Sequence, residues 1–236
     1  MTAQKIALVT GANRGIGLAI SQKLAEQDMH VIMTARDKNL LQQECDTLKS
    51  AGYSVEGHVL DVTGYEQANA LIAQLIAKHQ RIDVLINNAG IAVDQWVPGS
   101  DVSMDVVKQT METNCFASLN LIQQVLPHMK TTGYGRIVNM STELASLEGM
   151  QMGMTLAYRA SKAALNCITK IFSIELADYA DIKINAAAPG WVKTNLGGDD
   201  AELTPEQGAD TPVWLATLGS DGPSGDFYRE RKVYPW

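Results

Sequence analysis

Short apolar runs alternate with longer amphipathic stretches along this chain. Runs rich in β-branched and aliphatic residues predict seven strands, at residues 5–9, 31–35, 54–60, 84–86, 136–140, 182–187 and 227–229. Between them, apolar positions recur at the helical spacing over stretches such as residues 16–27, 67–79 and 103–129. Strands that alternate with helices of this length are typical of βαβ units. The pattern therefore predicts a doubly wound α/β fold with a parallel sheet and helices on both faces.

The rest of the sequence predicts one continuous domain. The chain has 236 residues, a length that suits a single core. It contains no repeat, low-complexity tract or linker, and its most loop-like segment, residues 195–200, breaks the pattern without dividing it. We expect one domain over residues 1–236 that carries both the cofactor site and the substrate site.

Charge and composition narrow the classes of function. The net charge is −7, and a diffuse negative charge argues against nucleic acid and anionic membrane surfaces as partners. No apolar run reaches membrane-spanning length, and the first residues lack the layout of a signal peptide. Cys45, Cys115 and Cys167 are far apart and lack metal-ligand spacing. We expect them to be small buried or half-buried residues of a cytoplasmic protein, and we expect no metal.

A glycine-rich segment joins the first predicted strand to the first predicted helix. Residues 10–17 read Thr-Gly-Ala-Asn-Arg-Gly-Ile-Gly, which gives the spacing G-x-x-x-G-x-G. Glycines let a backbone turn tightly and approach a pyrophosphate, and a helix N-terminus offers free N–H groups. The spacing differs from the common G-x-G-x-x-G fingerprint, although the strand–loop–helix context is the same. The segment predicts a dinucleotide cradle, with an ordinary glycine-rich turn as the alternative.

The end of the second strand bears on the choice of dinucleotide. An NAD-type site carries Asp or Glu there for the ribose 2′-hydroxyl, whereas this chain has Ala35 followed by Arg36. A guanidinium at that place would pair with a 2′-phosphate, and Arg14 in the glycine loop adds a second positive charge. Asp37 is a complication, because a carboxylate opposes a phosphate. The two arginines favour NADPH/NADP+ over NADH, and merely solvated side chains are the alternative.

Candidate acid–base chemistry centres on Tyr158. Tyr158 and Lys162 are four residues apart, a spacing that puts the phenol and the ammonium on one face of a helix. A phenol has a reference pKa of about 10, and a neighbouring cation lowers it. A tyrosine tuned in this way can give a proton to a carbonyl oxygen or take one from an alcohol. Ser141 lies seventeen positions upstream.

Together these segments resemble the short-chain dehydrogenase/reductase family over the whole chain. The matching elements, in the family's order, are Thr10-Gly11-x-x-x-Gly15-x-Gly17, Asp61-Val62, Asn87-Asn88-Ala89-Gly90, Asn114, Ser141, Tyr158-x-x-x-Lys162 and Pro189-Gly190 followed by Thr194. The resemblance implies a single-domain, doubly wound Rossmann fold. Residues 11–17, 34–37 and 225–236 are similar to the NADPH-dependent carbonyl reductase branch. Some carbonyl reductases carry a long insertion before the catalytic tyrosine that is associated with a monomeric state, and this chain lacks it.

The resemblance implies a role for each matching position. Tyr158 would be the general acid in reduction, Lys162 would lower its pKa and bind the nicotinamide ribose, and Ser141 would hold the developing oxyanion. Asn114, in mid-helix, would support a water and proton path to Lys162. The cofactor-binding positions would be Gly11, Asn13, Arg14, Gly15, Ile16, Gly17, Arg36, Asp61, Val62, Asn88, Ala89, Gly90, Tyr158, Lys162, Pro189, Gly190, Val192 and Thr194.

Some alternatives remain open at these positions. Asn114 could be a plain buried amide, and Thr142 is a rival hydroxyl to Ser141. The histidines match no catalytic place, so we expect them on the surface or at helix ends, without a role; they are His30, His58, His79 and His128.

The substrate is expected beyond the carboxyl ends of the strands. The loops there supply a mostly apolar set rich in Met and Trp: Ile91, Ala92, Trp96, Leu144, Ala145, Met152, Met154, Trp191 and Leu196. Flexible thioethers and flat rings suit varied apolar or aromatic carbonyl compounds, with Ser141 at the carbonyl itself. Glu143 could instead favour a polar substrate. Aldehydes, ketones and quinones all stay open.

The leading hypothesis is an oxidoreductase that transfers hydride from NADPH to a carbonyl compound. An NAD(P)-dependent alcohol dehydrogenase working mainly in oxidation would use the same residues. A non-catalytic NADP(H)-binding regulator would be expected to have lost Tyr158, Lys162 or Ser141, and all three are present. The family's usual pairing helices also predict a homo-oligomer, a dimer or tetramer. Its candidate interface residues are Leu119, Ile122, Leu165, Ile168 and Phe172.

Overall fold

The computed structural model describes residues 4–236 and arranges them around one eight-stranded sheet. The strands are β1 (Ile6–Thr10), β2 (His30–Ala35), β3 (Val55–Val59), β4 (Val84–Asn87), β5 (Gly135–Met140), β6 (Ile182–Ala188), β7 (Phe227–Arg229) and β8 (Lys232–Val233). Their order across the sheet is β3-β2-β1-β4-β5-β6-β7-β8. The seven predicted strands are confirmed, each to within one residue at either end. They pair in parallel, as predicted.

The eighth strand was not predicted, and it is antiparallel to β7. Glu230 and Arg231 form a two-residue turn between Arg229 and Lys232, with φ of 53° and 59°. A two-residue hairpin turn needs positive φ at its central positions, which usually calls for Asn or Gly. Because Glu and Arg rarely adopt that conformation, the local sequence gave no hairpin signal.

Eight α-helices flank the sheet within the described residues. They are α1 (Gly15–Ala25), α2 (Lys38–Ser50), α3 (Tyr65–His79), α4 (Met104–Met111), α5 (Ala117–Thr132), α6 (Leu156–Glu175), α7 (Pro205–Gly208) and α8 (Asp210–Ala216). A π-helical turn, Glu112–Phe116, joins α4 to α5. The predicted helix over residues 103–129 is therefore continuous, but its hydrogen bonding changes in the middle. Such turns are rare and occur often at functional sites.

Apolar residues fill both faces of the sheet, because successive strand residues point to opposite sides. Ala7 and Val9 of β1 belong to the cluster that also holds residues of α1, α2 and α8. Ile6 and Leu8 belong to the cluster that holds residues of α3 and α5. Burial on both faces explains why the strands are almost continuously apolar rather than alternating. The predicted doubly wound fold is confirmed.

The chain order of the strands reverses beside β1. β1 pairs with β2 on one side and with β4 on the other. The crossover helices therefore diverge to opposite faces and leave a crevice at the carboxyl ends of β1 and β4, where ligands bind in open α/β sheets. The glycine loop follows β1 into this crevice, and Asn88 enters it after β4.

Several surface predictions need correction. Ile122 and Leu165 are wrong as interface residues, because both are fully buried in their own chain. Cys167 is exposed rather than buried.

None of the helices in residues 4–236 has the length and hydropathy needed to cross a membrane. The first three residues, part of the segment predicted to lack a signal peptide, lie outside the described residues.

Candidate active site

A cleft of about 1310 Å³ opens at the carboxyl ends of the strands. Pockets for a single drug-sized ligand measure roughly 300–1,000 Å³, so this cleft has room for a dinucleotide together with a small substrate. Every position predicted to bind the cofactor lines it, from Gly11 to Thr194. Ser141, Tyr158 and Lys162 line the same cleft, so the structure brings the predicted cofactor and catalytic residues together.

The three glycine positions of the loop do not suit larger residues. Gly11 and Gly15 have φ of 62° and 56°, a region that L-residues with side chains rarely adopt. A Cβ on Gly17 would lie 2.2 Å from the carbonyl oxygen of Gly11. Asn88 fastens the loop to the end of β4, because its Nδ2 donates to the carbonyl oxygens of Thr10 (2.8 Å) and Gly11 (3.1 Å). The loop is thus a tight, anchored turn with its backbone open to the cleft.

The first turn of α1 faces the cleft without a side-chain cap. Arg14 occupies the N-cap position and makes no capping hydrogen bond, and the first turn holds no acidic residue. The free N–H groups and the positive end of the helix dipole remain available to an anion. Together with the glycine cradle, this arrangement fits the pyrophosphate of a dinucleotide.

The acidic residue beside Arg36, Asp37, also lines the cleft, but its carboxylate is engaged by backbone N–H groups. Asp37 caps α2, because its Oδ1 accepts from the backbone N–H groups of Asn39 (3.0 Å) and Leu40 (3.1 Å). Its charge therefore interacts with the N-terminus of that helix. Asp61 is held by Thr63, whose hydroxyl and backbone N–H donate to its carboxylate and lower its pKa, with Arg36 acting in the same direction. Arg36 itself is exposed at the cleft.

Lys162 ties α6 to the end of β5. Its Nζ donates a 2.7 Å hydrogen bond to the carbonyl oxygen of Met140, the residue before Ser141. A Cβ on Gly90 would lie 3.4 Å from this Nζ, so the bare glycine lets the chain pass close by. The Ser141 hydroxyl is buried and has no hydrogen-bond partner among residues 4–236. It is free to donate to a ligand.

The pKa of Tyr158 is raised, whereas the sequence predicted that it would be lowered. Burial raises the pKa of Tyr158 to about 12, the negative charge of Glu143 acts in the same direction, and a hydrogen bond with Thr142 opposes them. Burial also lowers the pKa of Lys162 to about 8. The Lys162 ammonium is directed at the Met140 carbonyl, and the loss of hydration by the phenolate is the main cause of the raised Tyr158 pKa. Tyr158 is therefore protonated at neutral pH.

Asn114 lies in the π-helical turn and fastens a loop to α6. Its Oδ1 accepts from the Ile91 N–H (2.8 Å), and its Nδ2 donates to the Ile91 carbonyl (2.8 Å) and to the Ser161 hydroxyl (3.0 Å). Asn114 is buried and does not line the cleft. Asn114 therefore lies outside the cleft and links the Ile91 backbone to Ser161, the residue before Lys162.

Asp94 is a site residue that the sequence did not reveal. Its carboxylate accepts from the backbone N–H groups of Ala157 (2.6 Å) and Tyr158 (3.3 Å), and only 2% of its surface is exposed. The local N-cap of α6, Thr155, has a positive φ and makes no capping bond. Asp94 is therefore a distant cap for the helix that carries Tyr158. The sequence next to the helix does not indicate this cap, because Asp94 is 63 residues away in the chain.

The substrate end of the cleft contains most of the predicted lining. Ile91, Ala92, Trp96, Leu144, Trp191 and Leu196 line it. Met152 and Met154 do not, and both are exposed. Ala145 is buried beneath the surface. Met154 and Thr155 have φ of 67° and 53°, so the chain turns sharply before α6 and carries the two methionines away from the cleft.

A charged group also lies at this end. Glu143 lines the cleft beside Tyr158, and its Oε1 lies 3.6 Å from Nη1 of Arg229 in β7. Its other oxygen, Oε2, is buried without a hydrogen-bond partner in the described part of the chain. Trp236 contacts the segment that follows Glu143. Its backbone oxygen accepts from the Glu148 N–H (3.1 Å) and from the Ser146 hydroxyl (3.2 Å).

Comparisons with known proteins agree with this geometry. Residues 5–203 match the family described as short chain dehydrogenase. Carbonyl reductase [NADPH] 1 of Rattus norvegicus is 32% identical, with 98% of each chain covered. Carbonyl reductase [NADPH] 3 of Mus musculus is 34% identical over the same shares. The alignment with the rat protein spans 276 positions, more than the 236 residues of this chain, so that relative carries segments missing here.

Solved structures give the same result. The carbonyl reductase Sniffer of D. melanogaster superposes with a TM-score of 0.89 at 29% identity, over 99% of both chains. The NADPH-bound carbonyl reductase from chicken fatty liver superposes with a TM-score of 0.87 at 32% identity, over 100% of both. Sequence and fold thus agree with these relatives over nearly the whole length. The chain belongs to the short-chain dehydrogenase family.

Proposed function

We propose that the protein is an NADPH-dependent carbonyl reductase that acts on apolar or aromatic aldehydes, ketones or quinones. The observation that carries the proposal is the meeting, in one cleft, of the glycine cradle with Tyr158, Lys162 and the unpartnered Ser141 hydroxyl. The names of the rat and mouse relatives support the same activity. One domain, residues 1–236, would carry both the cofactor and the substrate.

NADP(H) is the cofactor that the charges favour. The cradle and the uncapped first turn of α1 would hold the pyrophosphate. Arg14 and Arg36 both line the cleft and would pair with the 2′-phosphate. Asp37, the residue that complicated this prediction, directs its carboxylate to the N-terminus of α2. The structure of a relative from chicken fatty liver is described as NADPH-bound.

The chain's own residues would manage the proton. The bound cofactor supplies a hydride. Tyr158, whose raised pKa keeps it protonated at neutral pH, would give its phenolic proton to the carbonyl oxygen. Ser141 would donate a hydrogen bond to the same oxygen as negative charge develops. Lys162 would hold the nicotinamide ribose hydroxyls, positioned by its bond to Met140.

The lining favours a flat or apolar substrate. Ile91, Trp96 and Trp191 are apolar residues of the substrate end, while Glu143 lines the cleft and is paired with Arg229 behind it. Indole rings offer broad apolar faces with few directional contacts, which suits varied aromatic carbonyl compounds.

The test is turnover with NADPH on a panel of aldehydes, ketones and quinones, beside NADPH affinity measured by fluorescence. Tyr158→Phe keeps the ring, so affinity should survive while turnover falls ~10²–10⁴-fold, as for loss of a general acid. Ser141→Ala should lower turnover with affinity nearly intact, because its bond strengthens as the oxyanion develops. Lys162→Met should lower both.

Tyr53→Phe is the matched control, because Tyr53 lies outside the cleft and bonds only weakly to Glu26 (3.4 Å). It should behave as wild type. A Tyr158→Phe enzyme that keeps most of its turnover would refute the proposed donor. Thr142→Val would then test the neighbouring hydroxyl, since Thr142 acts on the pKa of the Tyr158 phenol.

We also propose that the protein forms a homo-oligomer through the outward faces of α5 and α6. Phe116 precedes α5, and Ile171 and Ile174 lie on α6; all three are exposed, and Ile174 is 66% exposed. Apolar side chains adjacent on a helix face suit a shared, self-complementary interface. Light scattering should give a particle larger than the 25.6 kDa chain, and Ile174→Glu should reduce it to that size. A 25.6 kDa particle for wild type at micromolar concentration would contradict the proposal.

A further inference from the structure

Three ionisable side chains that can ligate a cation meet under the edge of the sheet. His30 begins β2, Glu56 lies in the edge strand β3, and His79 is the last residue of α3. We call these three residues the His–Glu cluster. None of them lines the catalytic cleft. The sequence predicted histidines at the surface or at helix ends, and His79 does end α3. The fold also brings His30 and His79 to one carboxylate, and all three side chains are half-buried.

The distances are close to those of a metal centre. Nε2 of His79 lies 2.9 Å from Oε1 of Glu56, and Nε2 of His30 lies 3.8 Å from Oε2. One ligand atom from each of the three residues lies within 4.8 Å of the others. Zn²⁺ binds imidazole nitrogen and carboxylate oxygen at about 2.0–2.2 Å, which puts neighbouring tetrahedral ligand atoms roughly 3.3–3.6 Å apart. The His79–Glu56 separation lies just below this range and the His30–Glu56 separation just above it.

His30 already has the arrangement of a ligand. Its Nδ1 lies 2.7 Å from the Ser54 hydroxyl, while its Nε2 is buried and has no hydrogen-bond partner in the described part of the chain. Metal-binding histidines commonly bond through one ring nitrogen to a protein acceptor, which leaves the other nitrogen directed at the metal. The unpartnered nitrogen here faces a carboxylate oxygen at 3.8 Å, and a cation between the two atoms would satisfy both.

Lys78 and His58 also lie beside the Glu56 carboxylate. The Lys78 ammonium contacts Oε2 of Glu56, and its side chain is 54% exposed, so it can swing into solvent when another cation takes its place. His58 follows Glu56 on the same face of β3, with its Nε2 3.3 Å from Oε1. Mixed imidazole and carboxylate donors suit a transition metal, whereas Ca²⁺ and Mg²⁺ prefer oxygen alone.

We propose that the His–Glu cluster binds one divalent transition-metal ion of the zinc type, with Lys78 as the competing cation. The ion would join the paired strands β2 and β3 to the end of α3 and so reinforce the contacts that Glu56 already makes with that helix. Its effect would be on stability rather than on turnover, because the cluster lies outside the cleft.

The test uses full-length protein without a histidine tag, stripped with a chelator and titrated with Co²⁺ and then with Zn²⁺ in competition. Wild type should bind one equivalent of Co²⁺ with a ligand-field spectrum, and Zn²⁺ should displace it and raise the melting temperature. His79→Ala and Glu56→Gln should weaken Co²⁺ binding at least tenfold and abolish the rise. Lys78→Met should tighten binding, because the competing ammonium is gone.

His128→Ala is the matched control. His128 is half-buried, bonds only to the Gln80 carbonyl and lies outside the cluster, so its variant should bind Co²⁺ as wild type does. Circular dichroism of the metal-free variants checks that they fold, and Lys78→Met tests the proposal even if His79→Ala does not. No saturable Co²⁺ binding by wild type, equal loss in His128→Ala, or weaker binding by Lys78→Met would each overturn it.

Discussion

Replacing Asp94 with alanine is expected to lower both stability and turnover, because this carboxylate caps the helix that carries Tyr158. Its oxygens accept from the N–H groups of Ala157 (2.6 Å) and Tyr158 (3.3 Å). Asp94→Ala leaves two N–H groups at the start of α6 without their acceptor. Asp94 is 2% exposed and Ala157 is fully buried, so water cannot readily replace the carboxylate.

The magnitude follows from these two contacts. A hydrogen bond to a charged group contributes about 1.5–3 kcal/mol, and a charge at a partly buried helix terminus adds up to about 2 kcal/mol. The 3.3 Å contact is long and contributes the smaller share. We therefore expect Asp94→Ala to lower the free energy of unfolding by about 2–4 kcal/mol, a large part of the 5–15 kcal/mol typical of a domain.

The assay is urea unfolding, beside turnover on one carbonyl substrate and NADPH affinity. Turnover should fall more than affinity, because the displaced helix start carries Tyr158 whereas the glycine cradle lies on other elements. Asp94→Asn should be intermediate, since it keeps one acceptor oxygen and loses the charge. Asp101→Ala is the control, because Asp101 is exposed and its side chain bonds only to Ser100.

The capping argument would be refuted if the free energy of unfolding of Asp94→Ala lay within about 0.5 kcal/mol of the wild-type value. That is the range of ordinary surface substitutions. Unchanged turnover in a destabilised variant would separate the two effects. It would show that the cap holds the helix but does not position Tyr158.

Three further outcomes follow from the site. Gly17→Ala should abolish NADPH binding while the protein stays folded, because the added Cβ would lie 2.2 Å from the Gly11 carbonyl oxygen; calorimetry and circular dichroism check this. Arg36→Ala should weaken NADPH binding about 10- to 150-fold, the equivalent of roughly 1.5–3 kcal/mol for a charge-assisted contact, and should weaken NADH binding much less. Equal weakening of both cofactors would contradict the assignment of Arg36 to the 2′-phosphate. Glu143→Gln should move the alkaline limb of the reduction rate to lower pH, because burial and then the Glu143 charge raise the Tyr158 pKa, and without that charge the phenol loses its proton earlier. An unmoved limb would exclude Glu143 as a contributor.

Features with a local physical cause could be read from the sequence. Apolar runs mark strands buried on both faces, and a glycine-rich turn marks a place where Cβ atoms do not fit, so the seven parallel strands and the cradle were both predicted. The spacing of Tyr158 and Lys162 on a helix is likewise local. Their meeting with Ser141 followed from the resemblance and from the rule that carboxyl ends of parallel strands share one edge.

Only the tertiary structure decided what depends on contacts between distant segments. Asp94 caps α6 from a loop 63 residues upstream, and His30 and His79 reach Glu56 from other elements. The Tyr158 pKa rises rather than falls because of burial, which is set by the surrounding loops, and then because of the Glu143 charge. Met152 and Met154 leave the cleft because the backbone turns through positive φ before α6. Sequence periodicity records which side of an element is buried, but not which distant side chain meets it there.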